Sequence, residues 1–142
     1  MDHVVYVDAK ANELQRLIKG EKNMIIRGAN GRKLPYDRVH EGDCLYLINN
    51  NAEGEAKAKA IVKEVTQTHK MVPEESAQTL AMYQPNLQLT DAQIKRWSGK
   101  KYLIFIELHA IEEISPILID KSGYGNMDDW LPVGDINTVK SV

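Results

Sequence analysis

The chain is 142 residues long with 43% apolar and 27% charged residues, an ordinary globular composition that can bury a core without metal or disulfide support. Eighteen basic against twenty acidic residues give a net charge of −2, which excludes a protein that coats nucleic acid without specificity. The single cysteine, Cys44, excludes an intramolecular disulfide and any multi-cysteine zinc site. Apolar runs such as Leu103-Ile104-Phe105-Ile106 are far shorter than the roughly 18 residues of a membrane span. The start, Met1-Asp2-His3-Val4, lacks the basic and apolar regions of a signal peptide. The expectation is one cytoplasmic domain over residues 1–142, with no membrane contact and no cofactor.

In chain order, His3 to Val7 reads as a strand. Asp8 then caps a helix that carries Leu14, Leu17 and Ile18 on one face and stops at Gly20. Met24 to Arg27 is a second strand, closed by Gly28 and the Asn30-Gly31 turn signal. Cys44 to Ile48 is a third, followed by three asparagines. Glu55 to Thr68 has helical composition but alternates Ala56, Ala58, Ala60 and Val62 with lysines, and the alternation predicts a long strand. Pro73 to Tyr83 and Thr90 to Trp97 predict helices. Tyr102 to Ile111 is a strong strand, Ile117 to Ile119 a short separate one, and the segment around Trp130 is irregular. Short strands with helices between them predict an α+β fold, a small mixed β-barrel with flanking and inserted helices.

The charge is unevenly placed. Between Lys19 and Arg38 six cations face two acids, a local +4, whereas residues 107–142 carry −5. The four histidines, His3, His40, His69 and His109, have no metal-ligand spacing, so no metal site is expected. Cys44 alternates with Tyr46 and Ile48 and reads as an inert core thiol. Lys22 and Arg27 bracket a short apolar strand. With Ile26 facing the core, Arg27 alternates to the other side and can line a cleft; the plainer alternative is a structural ion pair.

The segment Gly20-x-Lys22-x-x-x-x-Arg27 resembles the G-x-K-x-x-E-x-R signature of ASCH domains in the PUA-like superfamily. Gly42-Asp43 before a strand, the long strand, the helical insert and Tyr102 to Glu107 are similar in layout, so the resemblance covers residues 3–114. Residues 115–142 look like a C-terminal extension packed on that unit. The resemblance implies a small β-barrel, a cleft beside the motif, and a role linked to RNA or to a nucleotide-like ligand. One departure matters: Ile25 occupies the motif's glutamate position. Family members that act as amidohydrolases on acetylated cytidine use a threonine there, beside the motif lysine, with an acid from the helical insert. Isoleucine supplies neither nucleophile nor base. Glu74 and Glu75 are the acids available in the insert, so an enzyme of this kind would rely on Lys22 and Glu75 without an assigned nucleophile.

Further binding candidates follow from residue chemistry. Arg32, Lys33 and Arg38 interleaved with Tyr36 suit phosphate contact with base stacking, or else form a solvated loop with Tyr36 packed inward. Asn49, at the head of the asparagine run, can read base edges or serve a turn. Trp130 can cover a pocket or anchor a core. The leading expectation is a non-catalytic module that binds RNA or a small nucleotide-like ligand near Lys22 and Arg27. The alternatives are a hydrolase of a modified nucleoside or an RNA-cleaving enzyme, and an interaction domain without a working cleft.

Overall fold

A computed structural model describes residues 1–125 and 127–141. Strand β1 (Asp2–Val7) leads to helix α1 (Glu13–Ile18), then strands β2 (Met24–Ala29), β3 (Cys44–Asn49) and β4 (Glu55–Gln67). Helices α2 (Pro73–Leu87) and α3 (Asp91–Trp97) form the insert, followed by β5 (Tyr102–Leu118) and β6 (Trp130–Gly134). The strands make one mixed sheet in the order β2-β5-β4-β3-β1-β6, curled into a half-barrel. Among the described residues only β1 and β3 run parallel, which their connection through α1 and β2 permits. The α+β architecture agrees with the sequence. No helix among the described residues is long and apolar enough to cross a membrane.

Three of the expected boundaries move. Asp8 does not cap α1; its carboxylate accepts from the Ala11 N–H at 3.2 Å within a run of turns, and the helix begins only at Glu13. Helix α2 continues one more turn past Tyr83 and tolerates Pro85 near its end. The two C-terminal strands read separately as 102–111 and 117–119 are one strand. β4 and β5 remain paired through register shifts, and Pro116 falls inside the one between Ala56 and Ala58, where no ladder N–H is required.

Beyond residue 115 the end of β5 and all of β6 belong to the sheet, and the described remainder packs against it. Trp130, read as irregular, begins β6, which pairs antiparallel with β1. Leu131, Ile136 and Val139 cover Val4 and Ile48 on the outer face of β1 and β3. A buried polar set ties the three elements together. The Trp130 indole N–H donates to His3 Nδ1 at 3.0 Å, and His3 Nε2 lies 2.8 Å from the Asp43 carboxylate. With Nδ1 accepting, Nε2 carries the proton and donates to Asp43. Burial lowers the His3 pKa against the pull of Asp43, which favours this neutral form.

Strand β2 positions the site because both of its faces are covered. Ile25 packs inside the half-barrel with Leu14, Leu17 and Leu47. Met24 and Ile26 pack outside it against Leu80, Leu87 and Trp97 of the helical insert. Arg27 therefore shares the inner face with Ile25, at the mouth of the half-barrel.

Candidate functional site

Arg27 closes the open side of the curl. Its Nη1 donates to its neighbour's carbonyl, Ile26 O, at 2.8 Å, and its Nη2 donates to Tyr6 O on β1, across the gap that the sheet leaves. The Asp129 carboxylate lies 3.4 Å from Nε, and the Trp130 ring centroid is 5.6 Å from the guanidinium carbon. The guanidinium is thus held by two carbonyls, one acid and one aromatic face, with only 8% of the residue exposed.

Lys22 stands deeper. Its side chain is fully buried and its ammonium donates to Glu13 Oε2 at 2.5 Å. Glu13 also accepts from the Asp8 N–H at 3.2 Å. Burial works to raise the Glu13 carboxyl, but the charge and hydrogen bond of Lys22, with Arg27 beyond, outweigh it and hold the acid ionised. Burial lowers Lys22, and the neighbouring Arg16 and Arg27 charges act in the same direction. The acid absent at position 25 is therefore supplied to the lysine from the start of α1, nine residues upstream in the chain.

Two adjoining cavities open from this cluster. The outer one, about 170 Å³, is lined by four cations, Arg27, Lys33, Arg96 and Lys100, by the aromatics Tyr36, Trp97 and Tyr102, and by one acid, Asp129. The inner one, about 90 Å³, is bounded by Asp8, Glu13, Asn50 and Gln93 and shares Arg27, Arg96, Trp97 and Asp129 with the outer. Gly28 makes the wall between β2 and α3 thin: a Cβ there would stand 2.7 Å from Leu103 Cδ2 and 3.3 Å from the Trp97 ring. Arg96 lies over Trp97 at 4.3 Å, so charge and π-surface are presented together. Among the described residues no group of three or more histidines, cysteines or acids is arranged to hold a metal.

No protein-family model matches the sequence, and no curated protein matches it either. Solved structures do. The ASCH protein of Zymomonas mobilis superposes with a TM-score of 0.66 at 13% identity, covering 99% of this chain and 96% of that one. Its tyrosine-to-phenylalanine variant gives 0.68 over 99% of both chains, again at 13% identity. Its serine-to-alanine variant gives 0.64 at 16% identity, covering 90% of this chain and 82% of that one. The chain has the ASCH fold.

On that fold the sequence-predicted residues divide into three groups. Arg27, Lys33 and Tyr36 line the outer cavity, while Lys22 supports Glu13 from behind. Arg32 is exposed at its rim, its guanidinium 5.6 Å from the Tyr36 ring and 6.0 Å from Tyr102. Tyr36 is fixed by donating to Thr68 O at 3.1 Å, so the loop is packed inward and still faces the cleft. Trp130 is buried beneath Arg27 and lines neither of these two cavities, but it does line a third of about 230 Å³ beside Lys33 and Asp129.

The third group is not brought to the cavities. Arg38 is exposed and lines neither, and Asn49 is paired opposite Val7 at the end of β3. The neighbouring Asn50 is the asparagine that reaches the inner cavity, where its side chain accepts from the Ala9 N–H at 2.9 Å. Glu75 is exposed on α2 and accepts from the Val72 N–H at 3.2 Å as a helix-capping acid. Lys22 has Glu13 as its carboxylate, so Lys22 and Glu75 form no pair. Cys44 shares the half-exposed face of β3 with Tyr46, while Leu45 and Leu47 point inward. Burial raises its thiol pKa, which keeps it protonated and inert.

Sequence reasoning missed Glu13, Gln93, Arg96, Lys100 and Asp129. A usable signal existed for two of them: Arg96-Trp97 and Lys100-Lys101-Tyr102 repeat the cation–aromatic interleaving found at residues 32–38.

Proposed function

We propose that this chain is a non-catalytic PUA-like module that binds single-stranded RNA or a nucleotide-sized ligand in the cleft beside Arg27. One observation carries the reading: four cations and three aromatic rings converge on one cavity that holds a single acid. Phosphate neutralisation and base stacking are the two terms that drive single-strand binding, and both are offered within this cavity. The inner recess adds amide and carboxylate groups suited to base or ribose edges, Asn50, Gln93 and Glu13 among them. A titration of a short fluorescent single-stranded RNA tests it, with Arg96→Ala and Lys100→Ala as the variants that remove rim charge without touching the buried network. Saturable binding weakened by both variants supports the reading, and binding indifferent to both overturns it.

The hydrolase reading keeps one point in its favour, the buried Lys22–Glu13 pair next to the inner recess. Ile25 is entirely buried in the core and offers no nucleophile beside that pair. Acetate release from N4-acetylcytidine is therefore expected to equal that of a Lys22→Ala control. Turnover well above the control would move the enzyme reading ahead.

A further inference from the structure

Resting on the anion-binding reading of this cleft, we propose that Asp129 is a built-in competing anion: its carboxylate holds the place at Arg27 that a ligand phosphate takes, and binding proceeds by displacing it. Arg27 donates from Nη1 and Nη2 to the carbonyls of Ile26 and Tyr6, which leaves Nε as its one guanidinium nitrogen without a hydrogen bond. Asp129 Oδ2 stands 3.4 Å from that nitrogen, yet the buried Nε has no hydrogen-bond partner. The carboxylate thus offsets the charge without satisfying the donor, and an unsatisfied buried donor is costly. A phosphate oxygen with freer approach would supply both the charge and the hydrogen bond.

The pair is also unequal in burial. The Arg27 side chain is 10% exposed and the Asp129 side chain 44%, so the arginine is fixed and the acid has solvent to move into. The Asp129 backbone is held separately, since its carbonyl accepts from the Tyr6 N–H at 3.0 Å; displacement needs only a side-chain rotation. Asp129 lines four neighbouring cavities of about 170, 90, 230 and 450 Å³, so its carboxylate is a partition between the cleft and the open groove beside it. The other cations of the outer cavity, Lys33, Arg96 and Lys100, have no ion-pair partner among the described residues. Asp129 is consequently the only acid there whose withdrawal leaves four cations to a ligand, and a weakly charged anion pays the cost of displacing it with little return.

The test follows the Arg27 Nε–H group by NMR while inorganic pyrophosphate is added to wild type, Asp129→Asn and Asp128→Asn. A parallel titration uses a short labelled oligouridylate. Asp128 is the control because it lines neither cleft cavity and its carboxylate accepts from the Gly125 N–H. Asp129→Asn is expected to reach half-saturation at about two- to fivefold lower pyrophosphate than wild type, the scale of one partly exposed ion pair. Asp128→Asn is expected to match wild type. Asp129→Ser provides the same charge removal should the asparagine variant fold poorly. Equal half-saturation in wild type and both Asp129 variants, or no response of Nε–H in any protein, overturns the competing anion. A pyrophosphate response without oligouridylate binding leaves Asp129 as the competitor and overturns the RNA reading instead. Oligouridylate binding that is equal in wild type and Asp129→Asn does the reverse.

Discussion

Lys22 and Arg27 carry the same charge as Arg96 and Lys100, Lys22 standing behind Glu13 and the other three lining the cleft, but the two pairs are built differently. The first two are buried and have committed partners, Glu13 for the lysine and two carbonyls with Asp129 for the arginine. The second two come from helix α3 and the turn after it, and have no ion-pair partner among the described residues. A buried charge that has been paired is part of the fold, and removing one member leaves the other stranded. A rim charge is free to neutralise a ligand phosphate at little cost to stability. In the proposed binding site the buried cations shape the cleft, with Arg27 also offering its Nε–H, and the rim cations supply the remaining charge.

The sharpest way to break that contrast is at Glu13. Glu13→Ala leaves the Lys22 ammonium buried without a carboxylate and is expected to cost about 3–5 kcal/mol in urea unfolding. A Glu13→Leu and Lys22→Met double variant removes both charges and is expected to recover most of that loss, because well-packed apolar replacements of a buried pair are near neutral. If Glu13→Ala unfolds like wild type, the pair is not part of the fold and the division between buried and rim cations fails.

Acidity sharpens the same contrast at the other buried set. Trp130 reaches its place under Arg27 by donating to His3 Nδ1, so a proton on that nitrogen would face another N–H. Burial lowers the folded-state pKa of His3 below 6.5 despite Asp43; the amino terminus acts in the same direction and Asp2 opposes it. Between the folded value and 6.5 the unfolded chain binds the extra proton, so stability falls as pH falls through that window. The slope from this group is at most about 1.4 kcal/mol per pH unit. His3→Gln keeps one donor for Asp43 and one acceptor for Trp130 without titrating, and denaturation at stepped pH is expected to show a flatter profile for it. Asp43 and Glu13 act later. Their folded pKa values lie below 3.8 and 4.5, so their contribution is complete above those values and is lost as pH falls through the folded ones.

How far the sequence foretold this arrangement depends on how local the signal was. Alternation over Glu55 to Thr68 predicted β4 against its helical composition because strand period outweighed propensity once Val62 and Val65 joined the pattern. β6 was missed since five residues containing Pro132 make a weak strand alone, and its pairing with β1 is decided by long-range contact. The Lys22 and Arg27 positions were legible from the motif. Their partners were not: a spacing of nine residues from Glu13 to Lys22 has no helical or strand periodicity, and Asp129 meets Arg27 only after the curl has formed. The outer cavity alone draws on segments 27–36, 96–104 and 129, and the inner one adds 6–13, 50 and 93, a set that no single sequence window contains.

Arg96 and Arg38 give the finest discrimination, since the two substitutions change net charge identically and differ only in place. Arg96 lines both cavities with its guanidinium over Trp97, whereas Arg38 is exposed and lines neither. If affinity follows the overall charge, either loss should weaken RNA binding alike, and if it follows the basic segment at residues 19–38, only Arg38→Ala should weaken it. If affinity follows the cleft, Arg96→Ala should cost about 1 kcal/mol, near fivefold, and lower the salt slope by about 0.7, the value of one single-strand phosphate contact. Arg38→Ala should then leave both affinity and slope unchanged. Anisotropy titrations of one oligouridylate at two salt concentrations separate these outcomes. Equal effects from the two variants would mean that RNA reads the overall charge of the protein and not the walls of the cleft.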